Sequence, residues 1–175
     1  LGHSIPNNLK PAVEKKVKKY VASAIKTLGI NFGSVNMDIL ITADEKVYIV
    51  DIGARMGGNM IGPCVIPYGT GIDYMAAMLQ NAVGDDVDLG IKEHTAVVTR
   101  LLAFKNGVIR NLPDVKQIER HFGVEIYHHM ELGMRINEYH TNLDGCGYIV
   151  SRAKTQEKAI EKAENALNYF RNTIF

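Results

Sequence analysis

The chain has 175 residues, of which 46% are hydrophobic and 22% are charged, a composition typical of a folded globular protein rather than a disordered one. Twenty Lys and Arg residues against nineteen Asp and Glu residues give a formal net charge of +1. Charge therefore favours neither nucleic acid nor an anionic membrane, and we predict that the chain binds neither.

The cysteines and the first residues carry information about the setting of the protein. Cys64 and Cys146 stand alone, without a CxxC pair or the spacing of a metal site, which favours a reducing, cytoplasmic setting. No apolar run approaches the length of a membrane span, and the first residues lack the regions of a signal peptide. The chain begins with Leu1 instead of Met, so we interpret it as part of a longer protein.

The first predicted element is an amphipathic helix. Pro11 is tolerated in a first helical turn, apolar residues recur at helical spacing from Ala12 to Leu28, and Gly29 is a natural C-terminal stop. The lysines at positions 15, 16, 18 and 19 leave the apolar stripe intact. We interpret them as a solvated outer face and not as a phosphate-binding patch.

The next predicted element is a β-hairpin. Residues 35–40 and 47–51 alternate as strands do, and residues 42–46 have the composition of a turn. A turn centred between Asp44 and Glu45 places Asp38 directly opposite Asp51, with their side chains on one face. The same register places Asn36 opposite Gly53.

This acid pair requires an explanation. Two carboxylates opposed across a hairpin lie about 5 Å apart, and at an effective dielectric near 20 their repulsion is on the order of 3 kcal/mol. One acid could be protonated, Arg55 could bridge the two, or a divalent cation could bind both. Alternatively, both acids could simply face water at a sheet edge.

The segment that follows the second strand favours the cation. It reads Gly53-Ala-Arg55-Met-Gly57-Gly58-Asn59. Its glycines allow the backbone to approach a ligand, and the arginine offers paired donors for a phosphate or a carboxylate. Two facing acids, an arginine and glycines together describe a metal–phosphate site.

At this point the sequence resembles a known superfamily. The stretch "GINFGSVNMDILITADEKVYIVDIGARMGGN" is similar to the second half of an ATP-grasp domain, in which an acid on a strand is followed by a hairpin, Glu-x-Asn-x-Arg and glycines. The continuation "VIPYGTGIDYMAAMLQNAVG" resembles the helix that follows in carbamoyl-phosphate synthetases, biotin carboxylases and amino-acid ligases. The resemblance covers residues 1 to about 90 best.

The resemblance implies roles for individual residues. Asp38 and Asp51 would be ligands of Mg²⁺, or of Mn²⁺ in its place, with Asp51 touching both ions that bridge the ATP phosphates. Arg55 would be catalytic and hold the transferred phosphate. The residues expected to contact the nucleotide are Asn36, Gly57, Gly58 and Asn59.

Two positions depart from the superfamily pattern. The second acid is usually Glu, and Asp51 reaches one carbon less far. The usual Asn is Gly53 here, so one ligand of the second metal is missing, and water or Asn59 would take its place. Some members of the superfamily show a similar Gly-Ala-Arg variant.

The remaining residues are predicted to be scaffold. Residues 94–104 are expected to form a strand, 113–122 a short helix, 123–130 and 146–152 further strands, and Thr155 to open a long helix. We expect an α+β fold: the C-terminal lobe of an ATP-grasp domain over residues 1–93, an antiparallel sheet flanked by helices, with a strand-rich cap over residues 94–175. Arg100 and Arg135 could reach a substrate carboxylate, although a salt bridge is the more frequent role of such residues.

The function implied by the resemblance is that of a ligase. Such an enzyme phosphorylates a carboxylate with ATP and lets an amine displace the phosphate, or forms carbamoyl phosphate. The partners would be Mg-ATP, a small carboxylate and an amine, and the preceding part of the same enzyme, without which this chain should be inactive. A homodimer is left open. The competing interpretations are a non-catalytic nucleotide-binding or subunit-contact module, favoured by Gly53, and an ordinary α+β interaction domain.

Overall fold

The computed structural model describes residues 1–175, with the exception of the side chain at position 142. Its elements confirm an α+β chain with antiparallel pairing throughout. The helices are α1 (Pro11–Thr27), α2 (Ile66–Thr70), α3 (Tyr74–Val83), α4 (Val115–Phe122) and α5 (Gln156–Thr173). The strands are β1 (Ser4–Ile5), β2 (Asn36–Ile41), β3 (Val47–Gly53), β4 (Ala96–Leu101), β5 (Gly107–Val108), β6 (Val124–His128), β7 (Arg135–Ile136) and β8 (Gly147–Ala153).

The main core lies between a four-stranded sheet and α5. The strand order is β1-β4-β8-β6, and each neighbouring pair is antiparallel. The buried face of α5 has small residues over most of its length, since Ala159, Ala163 and Ala166 are fully buried there, and ends in the larger Leu167 and Phe170. The short alanine side chains let the helix backbone approach the sheet, and Ser151 Oγ on β8 donates a 2.6 Å hydrogen bond to the carbonyl oxygen of Ala159.

The opposite face of this sheet is covered by a helical segment, residues 61–70. It consists of a π-helical turn (Ile61–Val65) that continues into α2. Cys64 and Val65 are buried against Val97 of β4 and Val150 of β8. Since this segment directly follows the glycine-rich residues 57–59, its packing anchors one end of that loop to the sheet.

The hairpin of β2 and β3 has the predicted acid pairing, but its turn is different. Asp38 pairs with Asp51 and Asn36 with Gly53, as expected. Nearer the turn, Ile39 pairs with Ile49, so Val50 is an extra residue in a β-bulge. The turn is centred on Asp44, with Glu45 in the left-handed region at φ 59° and its N–H bonded to the carbonyl of Thr42 at 2.9 Å. The predicted turn centre was therefore wrong by half a residue, and the bulge compensates for it.

Several short elements differ from the sequence prediction. Strand β4 ends at Leu101 and not at residue 104, because the chain turns there to bring Leu102 and Phe104 into the α5 core. Strands β1, β5 and β7 were not predicted. β1 precedes the expected boundary at residue 93 and pairs with β4 beyond it, and the division at that residue stays a prediction. No helix in the described part of the chain is long and apolar enough to cross a bilayer.

Candidate functional site

The acid pair lies on the open face of the hairpin. Asp38 and Asp51 are Cα partners, and both are exposed. Among the described residues, neither carboxylate has a salt-bridge partner, and the nearest recorded donor is Asn36 Nδ2, 3.4 Å from Asp38 Oδ1. The exposure agrees with acids that face water. It also leaves four carboxylate oxygens available to a ligand.

The donor set fits a nucleotide-bound Mg²⁺ better than a metal held by protein alone. Among the described side chains, no three His, Cys, Asp or Glu residues converge on one point. Mg²⁺ commonly takes one or two carboxylates from the protein and completes its shell with phosphate oxygens and water. Two opposed carboxylates supply that protein share.

Arg55 does not bridge the acids. Its Nη1 donates to the carbonyl oxygen of Met56 at 2.9 Å, and its side chain lies over Gly53. A Cβ at position 53 would stand 3.3 Å from Arg55 Cγ and 3.4 Å from Arg55 Nε. The absence of a side chain at Gly53 therefore makes room for the guanidinium beside the strand, which a larger residue there would displace.

The two glycines of the loop have different surroundings. A Cβ on Gly57 would be 2.9 Å from Asn36 Oδ1 and 3.1 Å from Ile61 Cδ1, so Gly57 is needed for packing against β2. Gly58 has no protein atom within 4 Å of such a Cβ. Its Cα faces open space, its carbonyl accepts from the Ile61 N–H at 3.0 Å, and its own N–H has no acceptor among the described residues. Gly57 thus lies against Asn36, and the nucleotide contacts expected of Asn36, Gly57 and Gly58 stay a prediction.

Asn59 occupies the far end of the loop. Both Asn59 and Met60 have left-handed backbones, with φ 53° and 64°. The side chain of Asn59 accepts a 2.6 Å hydrogen bond from the Tyr148 hydroxyl on β8. Asn59 is therefore directed toward the sheet, and the structure places it beside a residue that the sequence did not single out.

His3 is a second residue that sequence reasoning missed. The pairing of β1 with β4 places it here: its N–H donates to Thr99 Oγ1 at 2.9 Å, and its carbonyl accepts from the Thr99 N–H at 2.8 Å. Partial burial lowers the pKa of the His3 imidazole, and the nearby charge of Asp38 opposes that shift. A two-residue strand has no sequence pattern by which it could have been found.

His3 also lines a small cavity at this end of the sheet. The cavity has a volume of about 170 Å³ and is lined by Leu1, Gly2, His3, Asn59, Leu101 and Tyr148. The cavity therefore lies between the glycine-rich loop, residues 1–3, β4 and β8.

Apolar side chains continue the acid-bearing face toward the turn. Leu40 is two residues from Asp38 on the same face and pairs with Tyr48, and these side chains are 56% and 50% exposed. Val50 in the bulge is 68% exposed. An apolar surface next to two carboxylates suits a ligand with an apolar part and a charged part.

Arg100 is not directed at this site. Its Nε forms a 2.5 Å ion pair with Glu164 Oε1 on α5, and the Arg100 side chain is only 16% exposed. It lies on the α5 side of the sheet, whereas the loop and the helical segment 61–70 lie on the other. The salt bridge, and not the substrate carboxylate, is the contact that the structure assigns to it.

The chain resembles known proteins in part of its sequence and in its fold. A family model described as L-amino acid ligase C-terminal domain 2 matches residues 100–173. No curated protein sequence matches the chain.

Solved structures match almost the whole chain. Phosphoribosylglycinamide synthetase from Anaerococcus prevotii matches 96% of it at 25% identity and a TM-score of 0.79. L-amino acid ligase from Bacillus licheniformis matches 95% of it at 21% identity and a TM-score of 0.82. The biotin carboxylase domain dimer of Hydrogenobacter thermophilus 2-oxoglutarate carboxylase, a complex with ADP and its magnesium salt, matches 96% of it at 17% identity and a TM-score of 0.68.

These matches confirm the expected resemblance. The chain has the fold of the C-terminal lobe of ATP-grasp enzymes. It covers 44% of the synthetase and 44% of the amino-acid ligase, less than half of either structure.

Proposed function

We propose, from this fold, that the chain is the C-terminal part of an ATP-dependent carboxylate–amine ligase. The observation that carries the proposal is the pair Asp38 and Asp51, opposed across the hairpin without a salt-bridge partner and followed by Arg55 and an open glycine loop. The ATP-grasp fold supports use of ATP, and the match of residues 100–173 to an amino-acid ligase domain supports a ligase.

The proposal gives specific roles to the residues named below, and Asn36 and Gly57 stay predicted nucleotide contacts. Asp38 and Asp51 would hold Mg²⁺, which when bound would neutralise charge on the ATP phosphates. Arg55 would hold the transferred phosphoryl group through its paired N–H donors. The open backbone at Gly58 and the amide of Asn59 would contact phosphate oxygens, and Leu40 and Tyr48 would give the base or ribose an apolar surface.

The proposed reaction has two steps. A carboxylate oxygen of the substrate forms a bond to the γ-phosphorus of ATP as the bond from that phosphorus to the β–γ bridging oxygen breaks, and ADP leaves with the oxygen. The amine nitrogen then bonds to the acyl carbon, inorganic phosphate leaves, and the amine loses a proton. Both steps depend chiefly on positioning and on neutralising phosphate charge.

A second candidate is a nucleotide-binding module without catalysis. Gly53 favours it, because no side chain at this position can supply a ligand to a second metal ion. The module would bind Mg-ATP through the same acid pair but would release no ADP. Assays for ADP in the presence of carboxylates and amines separate the two candidates.

The test of the ligase is Arg55→Lys in the full-length protein. Lysine keeps the positive charge but loses the paired donors, so kcat/KM should fall by an amount equivalent to about 1–3 kcal/mol while the melting temperature changes little. Arg120→Lys, on an exposed position of α4, is the matched control and should leave both unchanged. An unchanged kcat/KM in Arg55→Lys would make Arg55 structural and contradict its proposed role.

A further inference from the structure

The loop that carries the candidate phosphate contacts ends in an unfavourable backbone conformation. Asn59 and Met60 are consecutive residues with positive φ, and neither is glycine. Such a conformation costs free energy, less for Asn than for Met, and persists only where the surroundings offset that cost, which happens most often at functional sites. The interactions that hold these two residues therefore determine where the loop lies.

Two anchors fix the end of this loop. Behind Met60, the chain continues into the π-helical turn, where the N–H groups of Cys64 and Val65 donate to the Met60 carbonyl oxygen at 3.1 and 2.9 Å. At Asn59, the anchor is a side chain from another element, because the Tyr148 hydroxyl donates to Asn59 Oδ1 at 2.6 Å.

Tyr148 is well suited to act as a fixed anchor. It lies on β8, which is paired on both sides, to Leu101 of β4 and to Tyr127 of β6. Partial burial raises the pKa of the Tyr148 phenol, so the hydroxyl keeps its proton and remains a donor at neutral pH. A partly buried side chain on a central strand has little freedom to follow a moving loop.

The bond also sets the direction of the Asn59 amide. With Oδ1 accepting from Tyr148, both hydrogens of Nδ2 point elsewhere, and no acceptor for them is found among the described atoms. Two free N–H donors next to the open backbone of Gly58 suit an anion such as a phosphate.

We propose that Tyr148 is a positioning residue that holds the loop 57–60 in place, with Asn59 and Met60 in the left-handed region, and turns the Asn59 amide donors toward the phosphate of the ligand. The catalytic part of this inference rests on the function proposed above. The anchoring part does not, because it concerns the free protein. Tyr148 lies within the matched amino-acid ligase domain, so the inference gives that domain a direct part in shaping the site.

The first experiment measures the anchor in the free full-length protein. Tyr148→Phe removes one hydroxyl, and the amide hydrogen exchange of residues 56–61 should become faster by at least severalfold, with little change elsewhere. Tyr169→Phe is the matched control, because it removes a hydroxyl from α5, which lies on the other face of the sheet from the loop. Unchanged exchange over residues 56–61 in Tyr148→Phe would overturn the inference.

The second experiment measures coupling to catalysis. A hydrogen bond of this kind is worth about 0.5–1.5 kcal/mol, so Tyr148→Phe should lower kcat about twofold to tenfold. Asn59→Ala should lower it at least as much, and the double variant should be no slower than Asn59→Ala alone. Additive losses would show that Tyr148 acts independently of Asn59 and would refute the positioning role.

The two proposals fail in different ways. A full-length protein that forms no ADP with any carboxylate and amine contradicts the ligase, while faster exchange in Tyr148→Phe still supports the anchor. An active ligase in which Tyr148→Phe changes neither exchange nor kcat contradicts the anchor alone.

Discussion

At the scale of single residues, the carboxylates of Asp38 and Asp51 repel each other, and only a bound cation or solvation by water reduces that repulsion. They are direct cross-strand partners, both are exposed, and Arg55 is engaged with the Met56 carbonyl instead of with them. If this pair binds a cation, the chain without that cation carries an electrostatic repulsion, which the loss of one carboxylate charge removes. Because both acids face water, Asp51→Asn should then leave the free energy of unfolding unchanged or raise it by no more than about 1 kcal/mol.

Thermal melts with manganese test this prediction. Mn²⁺ at ten times its dissociation constant should add about 1.4 kcal/mol to the unchanged chain and much less to Asp51→Asn. Asp86→Asn, an exposed acid outside the site, is the control and should keep the full manganese effect. Destabilisation by Asp51→Asn without any manganese-dependent difference would refute the metal site.

The two loop glycines give a second prediction at this scale. Gly58→Ala adds a methyl group into open space, so the melting temperature should stay the same, and any loss of Mg-ATP affinity would come from contact with the ligand. Gly57→Ala forces the methyl group against Asn36 Oδ1 and Ile61, so the melting temperature should fall in the free protein as well. Melting curves and nucleotide titrations of both variants decide it: an unchanged affinity in Gly58→Ala would remove Gly58 from the site.

At the scale of secondary-structure elements, the sequence predicted what depends on pattern and missed what depends on tertiary contacts. The long helices α1 and α5 follow apolar periodicity, and α5 also has a clear cap, Thr155, whose hydroxyl accepts from the Lys158 N–H. The acid pairing in the hairpin was predicted correctly although the turn was not. The left-handed Glu45 shortens the turn by one residue, and the bulge at Val50 restores the register before Asp51 is reached.

The candidate site was predictable only in part for the same reason. Asp38, Asp51, Arg55 and the glycines are local in sequence, and their residue types carry the signal. His3 and Tyr148 come to the site from strands far away in the chain, through the pairing of β1 and β8 with β4. Nothing in their own sequence neighbourhoods marks them, because long-range pairing decides their position.

The junction of α4 and β6 gives a prediction about pH. Glu119 Oε1 accepts from the Ile126 N–H at 2.9 Å, and Glu119 Oε2 accepts from Lys116 Nζ at 2.7 Å. Partial burial alone would raise the pKa of the Glu119 carboxyl, but these hydrogen bonds outweigh it and lower the pKa below its ordinary value. A lowered pKa means that the charged form stabilises the fold above the ordinary pKa, and that this stability is lost as the pH falls through the folded-state pKa.

Glu119→Gln should therefore lower the free energy of unfolding by about 1–3 kcal/mol at pH 7. The difference should shrink toward pH 3, because the unchanged chain then protonates the same carboxyl. Denaturant titrations at both pH values measure it, with Glu161→Gln on an exposed position of α5 as the control. A difference that does not depend on pH would show that the packing of Glu119, and not its charge, holds the junction together.

At the scale of the whole molecule, the four-stranded sheet separates the main core from the candidate site. One face carries α5 and the main core, and Arg100 is bound there in its ion pair with Glu164. The other face carries the helical segment 61–70 and the glycine loop, and there the Tyr148 hydroxyl donates its hydrogen bond to Asn59. The hairpin projects from this assembly with Leu40, Tyr48 and Val50 exposed, so the nucleotide side of the proposed site is open to water.

That openness leads to a prediction about the chain by itself. A phosphoryl-transfer site works by holding its groups in a dry, fixed arrangement, in which charges interact more strongly than they do in water. Here the acid pair, Arg55 and the Gly58 backbone are all exposed, and the chain covers less than half of the ligase and synthetase structures that it resembles. We expect the purified 175-residue chain to bind Mg²⁺ or Mn²⁺ weakly and to release no ADP from ATP with any mixture of amino acids. The longer ligase proposed above should release ADP under the same conditions, and its Asp51→Asn variant should not. ADP released above background by the 175-residue chain, and abolished by Asp51→Asn, would show that the hairpin and its loop form a complete active site and would contradict the prediction.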